Sequence, residues 1–176
     1  MRLQPEAVLE LIRAMRHSGL NHLQVIAGWL QLGQADRARE YVAQVSERLT
    51  AEAALARLQP ADFALALLLA AARAELHGVD LRWGLELPAG RSPVPAAAAL
   101  VFDLLQAAMG ELAASPCDAA PALTVTLQAA PDGSLNLRLQ ASQPLALPGM
   151  TARAEALGAR LTGSGGDLLL TQISAV

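Results

Sequence analysis

The chain has 176 residues, which suits one ordinary domain or two small ones and is enough to bury a core. Hydrophobic residues make up 53% of it and aromatic residues only 3%, so we expect a core built from Ala and Leu. A formal net charge of −3 argues against nucleic acid as the main ligand, because phosphate binding needs a basic patch.

The cysteine count and the hydropathy pattern indicate a compartment. Cys117 is the single cysteine, which excludes an internal disulfide framework and is typical of a reducing environment. We expect it to be a passive residue near a helix end. The longest apolar run, residues 63–72, is far shorter than the roughly 20 residues of a membrane span. Because the N-terminus also lacks a signal-peptide apolar region, we expect a soluble, cytoplasmic protein that does not enter a membrane.

The first 58 residues are predicted to form an antiparallel helical hairpin. Pro5 suits the first turn of a helix that runs to about Gln31, and Gly33 ends it. A second amphipathic helix is predicted over residues 36–58. Apolar or small residues at steps of three and four define a packing stripe on each helix: Ile12, Met15, Gly19, Leu23, Ile26 and Leu30 on the first, and Ala38, Tyr41, Val42, Val45, Leu49, Ala53 and Leu55 on the second. Two helices leave apolar flanks exposed, so we expect the hairpin to pair with a second copy into a dimeric four-helix bundle.

His17 is predicted to face away from the packing stripe, at about 100° of rotation per residue. It shares this outward row with Glu10, Arg13, Asn21, Gln24, Gly28 and Gln31. An exposed histidine among small and amide residues can act as a nucleophile, and a glycine such as Gly28 lets another molecule approach closely. His22 falls at the edge of the packing stripe, so we expect it to be half-buried and structural, as we expect of His77.

The second half is predicted to be a small α/β sandwich, which makes the fold class α+β. Gln59-Pro60 breaks the helical pattern and marks the predicted boundary between domains 1–58 and 59–176. Helices are predicted at residues 61–77, 94–114 and 148–157, strands at 80–87, 123–129, 135–141, 160–162 and 168–173, a loop at 88–95, and hairpin turns at Pro131-Asp132-Gly133 and at 163–166. This order predicts helices on one face of a mixed sheet.

A family pattern is visible in the opening helix, at Arg16-His17, Asn21, Leu23, Val25-Ile26, Gly28 and Gly33. With these residues the helix resembles the phosphoacceptor helix of the sporulation initiation phosphotransferase B family and of the related citrate- and fumarate-sensing histidine kinases. The second half resembles the family's partner domain, a shortened relative of the histidine-kinase ATP-binding domain. The resemblance implies that His17 is phosphorylated and that its neighbours on the helix contact a partner: Arg13, Arg16, Ser18, Asn21, Gln24 and Gly28. Ser18 departs from the family, which usually has an acid after the histidine, and this weakens the case for self-phosphorylation.

The second half lacks the residues that such a kinase uses to hold ATP. Ala107 stands where the resemblance places an asparagine that ligates magnesium. Residues 142–145, Ser-Gln-Pro-Leu, replace an Asp-x-Gly-x-Gly loop under the adenine. The glycine run at 163–166 is the one candidate for a phosphate cradle, and we interpret it as a hairpin turn. We therefore expect this chain to bind no ATP and no other cofactor.

These expectations combine into one functional hypothesis and two alternatives. The resemblance implies a histidine phosphotransferase of a bacterial phosphorelay, such as that of sporulation, which passes a phosphoryl group between response-regulator receiver aspartates. The receiver partner is expected to supply Mg²⁺ and a lysine, and the phosphotransferase to be a homodimer. The alternatives are a non-catalytic adaptor that binds a receiver or kinase, and a histidine kinase with an aberrant ATP site.

Overall fold

The computed structural model describes residues 5–86, 95–115, 120–130 and 134–173. In these ranges the chain forms five helices and five strands, in the order α1 (Pro5–Gln31), α2 (Ala35–Leu55), α3 (Ala61–Leu76), β1 (Asp80–Glu86), α4 (Pro95–Ala114), β2 (Ala122–Ala129), β3 (Leu135–Ala141), α5 (Met150–Ala156), β4 (Arg160–Ser164) and β5 (Asp167–Ile173). The predicted elements are therefore all present. Most of the predicted loop at 88–95, Cys117 and the predicted turn at 131–133 lie outside the described residues.

The strands form one mixed sheet in the order β1-β2-β3-β5-β4. The β1 and β2 strands are parallel, because α4 carries the chain back between them, and the other neighbours are antiparallel. Alternate residues of β2, namely Leu123, Val125 and Leu127, are fully buried, as are Leu137 and Leu139 of β3. This alternation gives the sheet one face toward the core and confirms the predicted α+β class.

The core lies between the sheet and the two apolar helices α3 and α4. The α3 helix is buried nearly all round, with Phe63 and Leu67 fully enclosed. From α4, Leu104, Leu105 and Met109 are also fully enclosed. A helix that is apolar on every side is stable in water only when it is covered on most sides, which explains its position under the hairpin and over the sheet.

The hairpin of α1 and α2 leaves its predicted stripe largely open within one chain. On α1, Ile12, Met15, Leu23 and Leu30 are 48%, 53%, 64% and 55% exposed. The face of α1 that packs inside the chain is a different one, about 100° round the helix, and it carries Leu11, Ala14, Ser18, His22 and Trp29. The predicted α2 stripe divides in the same way: Ala38 and Leu55 are buried, Tyr41 and Val45 are half-buried, and Val42, Leu49 and Ala53 are exposed.

Candidate functional site

His17 lies in the middle of α1 with its side chain exposed. Among the described residues, none forms a hydrogen bond or an ion pair with its imidazole. Both ring nitrogens are therefore open to a reaction partner. The predicted exposure of His17 agrees with the structure, while its chemical role remains a prediction.

The outward row around His17 is present, and two further residues that were predicted to contact a partner lie outside this row. Arg13, Asn21 and Gln24 are exposed and lie within about 40° of His17 around the helix axis, and half-buried Gly28 does too. Arg16 is exposed but lies about 100° away, toward the open apolar stripe. Ser18 lies about 100° away on the other side and turns into the molecule, so its position does not favour contact with a partner.

The second half of the chain reaches the N-terminal end of this row. Arg73 of α3 donates from Nε to Glu10 Oε1 over 2.7 Å. The same guanidinium donates to Gln106 of α4 and lies 5.2 Å from the centre of the Phe102 ring. The hydrogen bond from Arg73 lowers the pKa of Glu10 below its ordinary value. The Arg73 contacts thus bring α3 and α4 to within about two helical turns of His17 along α1.

A polar cluster that the sequence analysis did not predict surrounds His22, where α1, α2 and α3 meet. The Nδ1 atom of His22 lies 2.8 Å from the Tyr41 hydroxyl of α2. The Nε2 atom accepts from the guanidinium of Arg48, and Ser18 Oγ lies 3.1 Å from it. The carboxylate of Glu75, from α3, lies 3.6 Å away from Nε2. A guanidinium can only donate, so its contact with Nε2 requires that nitrogen to carry no proton. We therefore assign the His22 ring as neutral, with its proton on Nδ1.

Charge and burial shift two pKa values in this cluster. Burial, and then the positive charge of Arg48, lower the pKa of His22, while Glu75 opposes the shift. Burial raises the pKa of Glu52, which Arg48 lowers and Glu75 raises further. The cluster also lies between two cavities of about 540 and 590 Å³, and His22, Arg48 and Glu75 line both of them.

One sequence signal was available for this cluster. Ser18 and His22 are four residues apart on α1, and Tyr41 and Arg48 are seven apart on α2, so each pair shares a helix face. The periodicity places the members of each pair together. It does not reveal that the two faces meet each other and Glu75.

In the second half, the segments where the sequence predicted a lost nucleotide site make internal contacts. The carboxylate of Asp103, one turn before Ala107 on α4, accepts a hydrogen bond from Arg153 of α5. In the 142–145 loop, the Ser142 hydroxyl accepts from the Ala122 amide, and the Leu145 side chain is buried. The loop thus fastens to β2 and contributes to the core.

The glycine run at 163–166 forms the turn between β4 and β5. Its carbonyls face the 142–145 loop: Gly166 O accepts from the Ala141 amide over 2.7 Å, and Gly165 O accepts from the Leu145 amide over 2.9 Å. A Cβ atom on Gly166 would lie 2.5 Å from Ala141 O, which explains the need for glycine there. Packing against a neighbouring loop therefore accounts for this run.

Within the described ranges, no group of three His, Cys, Asp or Glu side chains could hold a metal ion. No helix in the same ranges is both long and apolar enough to cross a bilayer.

Comparison with known proteins identifies the N-terminal segment. Residues 2–58 match the family model of the alpha-helical domain of SpoOB-type sensor kinases. The match spans both hairpin helices and includes His17, so the resemblance found in the opening helix is confirmed for this segment. A comparison with curated protein sequences finds no match.

Two solved structures from Erythrobacter litoralis are similar over most of the chain. The histidine kinase domain of a blue-light activated histidine kinase has 12% sequence identity and a TM-score of 0.47, covering 94% of this chain and 91% of that one. The longer structure of that blue-light activated histidine kinase has 14% identity and a TM-score of 0.45, covering 97% of this chain and 60% of that one.

Proposed function

We propose that this chain is a histidine phosphotransferase, on the premise that its N-terminal hairpin is a helical domain of a type found in sensor kinases. It accepts a phosphoryl group from the phosphorylated aspartate of one receiver domain and passes it to the aspartate of another. The observation that carries the proposal is the exposed imidazole of His17, which makes no hydrogen bond or ion pair within the described residues.

The transfer needs little from this chain beyond position. A ring nitrogen of neutral His17 attacks the phosphorus of the acyl phosphate, an N–P bond forms, and the P–O bond to the aspartate breaks. The electron pair of that bond leaves with the receiver carboxylate, and the reverse step regenerates the imidazole. The receiver supplies the Mg²⁺ and the lysine that neutralise the charge of the moving group. A free imidazole on a rigid helix meets the remaining requirement.

The row along α1 suits contact with a folded partner. Arg13 and Arg16 are exposed and contribute positive charge that can steer an acidic receiver surface. Asn21 and Gln24 present amides next to His17. Gly28 leaves space, because no atom beyond the helix's own backbone lies within 4 Å of the point that a Cβ atom there would occupy. A partner can therefore approach the helix backbone on the side that carries His17.

The contacts of Asp103 support transfer from a protein rather than from ATP. This carboxylate is bound to Arg153, and Ala107, one turn further along α4, has no group that could ligate magnesium. The loop at 142–145 and the glycine turn are fastened to each other by backbone hydrogen bonds. A histidine kinase with an aberrant ATP site remains the alternative, and it predicts measurable ATP binding.

The working molecule in this proposal is a homodimer. The open stripe of α1 continues across α2 through Val42 and Leu49, which are 43% and 52% exposed. A contiguous apolar face of this kind on a soluble protein marks an interface. A second hairpin packed on it completes a four-helix bundle with the two His17 side chains turned outward.

Phosphoryl uptake from a phosphorylated receiver domain tests the proposal. We expect label to appear on the wild-type chain as an acid-labile, base-stable phosphate, and His17→Ala to abolish it. His77→Ala is the matched control, because His77 is also exposed, directly after the end of α3, and its replacement should leave uptake unchanged. Label on His17→Ala would overturn the assignment.

One observation favours the adaptor alternative. Ser18 replaces the family's usual acid and hydrogen-bonds to His22 instead of facing His17's side of the helix. An adaptor binds a receiver but takes up no phosphate, so receiver binding without label on the wild-type chain would select it.

A further inference from the structure

The polar cluster at the junction of α1, α2 and α3 has no role in the transfer chemistry described above. The group at its centre is His22, whose ring contacts two other helices, as well as Ser18 of its own helix. His22 lies five residues after His17 on the same helix. Five residues of α-helix correspond to a rotation of about 140° and an advance of about 7.5 Å. Any contact that holds His22 therefore also determines the direction in which His17 points.

Resting on the proposed function, we infer that His22 is a positioning residue for His17. Its neutral ring ties α1 to α2, through Tyr41 and Arg48, and so fixes the rotation at which α1 presents the phosphoacceptor. The other contacts of this part of α1 restrict rotation of the helix only weakly, because the 540 Å³ cavity lies beside it and the stripe at Met15 and Leu23 is open. Apolar side chains next to a cavity restrict rotation poorly, whereas directional hydrogen bonds restrict it well.

The tie depends on which nitrogen of His22 carries the proton. Nδ1–H donates to the Tyr41 hydroxyl, and the lone pair of Nε2 accepts from Arg48, with the Ser18 hydroxyl oxygen 3.1 Å away. Ser18 is the residue next to His17 in the chain, so the network ends beside the phosphoacceptor. Protonation of Nε2 removes this acceptor and sets two positive charges against each other at Arg48. The contact with Arg48 is then lost, and the Tyr41 hydroxyl is the hydrogen-bond partner of His22 that remains on α2, so the rotation of α1 is held less firmly.

Charged and titratable groups from three other elements line the two cavities beside His22. They are Tyr41, Glu47, Arg48 and Glu52 of α2, Glu75 of α3, and Asp80 and Arg82 of β1, which lines the second cavity. Arg48 opposes a positive His22, and the carboxylate of Glu75 favours one. Burial adds to the effect of Arg48, so the pKa of His22 is lowered and the neutral, tied form is present at neutral pH.

The test measures the rate of phosphoryl uptake from a phosphorylated receiver against pH, with the full chain. His22→Leu cannot form the tie, and we expect it to lose about tenfold or more in rate at neutral pH, since small misplacements of a reacting group cost that much. The difference from the wild type should narrow in acid, where the wild-type His22 ring is protonated and its contact with Arg48 is also lost. His22→Gln can still accept from Arg48 but does not titrate. We expect it to recover most of the wild-type rate at neutral pH and to show a smaller fall in acid. His17 must also be neutral to attack, so the difference between the wild-type and His22→Gln profiles isolates His22.

Two further variants separate positioning from general damage. Tyr41→Phe removes only the hydroxyl that accepts from Nδ1 and should slow uptake in the same direction as His22→Leu. His77→Gln is the matched histidine control and should keep the wild-type rate and pH profile. Wild-type rates in both His22→Leu and Tyr41→Phe would overturn the inference, and so would a His22→Gln profile identical to that of the wild type.

A measurement without activity distinguishes this inference from the proposed function. Nitrogen NMR of the histidine rings should show neutral His22 with its proton on Nδ1. A proton on Nε2 instead would overturn the tie, whatever the transfer result. Absence of label on the wild-type chain together with the Nδ1–H form would contradict the transferase proposal and the positioning role while leaving the contact itself established.

Discussion

Single residues at the helix junction show how burial and charge compete in this protein. Glu52 of α2 is half-buried beside the His22 cluster. Burial raises the pKa of its carboxyl, and the neighbouring Glu75 adds to this, while Arg48 partly offsets it. A carboxyl with a raised pKa binds its proton more tightly in the folded chain than in the unfolded chain. Its contribution to stability is therefore largest at low pH and is lost as pH rises through the folded pKa.

Replacing Glu52 with Gln should stabilise the protein at neutral pH, because the amide has no charge to desolvate. Urea unfolding should show a higher midpoint for Glu52→Gln at neutral pH, and the gain should vanish below the ordinary pKa of 4.5. Glu40→Gln, at an exposed position on the same helix and outside both cavities, is the control and should leave the midpoint unchanged. An equal gain at every pH would show that the effect of Glu52 is not electrostatic.

Also at the scale of residues, the sequence predicted that His17 is exposed, but it did not predict the polar cluster around His22. The exposure of His17 follows from the periodicity of one helix, which is a local property. The cluster requires Tyr41, Arg48 and Glu75 to converge from two other helices, and no pattern within one helix encodes that convergence. Ser18 illustrates the difference: its spacing from His22 was visible, but its inward direction depends on where α2 and α3 lie.

At the scale of elements, α1 has two apolar faces, and periodicity alone did not separate them. The stripe with Met15 and Leu23 has the larger side chains and was predicted to be the packing face. Within the chain, the packed face instead combines Leu11 and Ala14 with Ser18 and His22. A pattern based on hydrophobicity does not reveal this face, because it includes polar residues. The hydrogen bonds of His22 to Tyr41 and Arg48 of α2 make burial of this face favourable. The boundaries of the helices and strands, and the hairpin of β4 and β5, depend on local signals and agree closely with the prediction.

The open face of α1 yields a prediction about assembly. Leu23→Glu places a charge in the middle of the proposed interface, where burial of an unpaired carboxylate is costly. Because Leu23 is 64% exposed in the single chain, the substitution should leave the fold intact and convert a dimer into a monomer. Leu157→Glu, at a leucine 50% exposed beyond α5, should remain dimeric. Light scattering after size-exclusion chromatography measures both, and a dimeric Leu23→Glu would exclude this face as the interface.

At the scale of the whole molecule, the buried core crosses the boundary predicted at residues 58/59. Leu55, the last residue of α2, is completely buried in the same cluster as Phe63 of α3 and Leu127 of the sheet. Leu58 packs against this cluster as well. The Arg73 contacts join α1 to α3 and α4 at a second point. The helical hairpin is thus attached to the second half through shared apolar packing, and we expect the two parts to unfold together.

The two tryptophans allow this expectation to be tested, since Trp29 lies in the hairpin and Trp83 in the sheet. In Trp29→Phe and Trp83→Phe backgrounds, fluorescence reports one part at a time. We expect both reporters to give the same urea midpoint. Leu55→Ala should lower both midpoints equally, by the equivalent of about 2–5 kcal/mol, whereas Leu76→Ala, at a leucine 62% exposed, should change them by under about 0.5 kcal/mol. If Leu55→Ala moved the Trp29 midpoint and left that of Trp83 in place, the hairpin would be an independently folding domain.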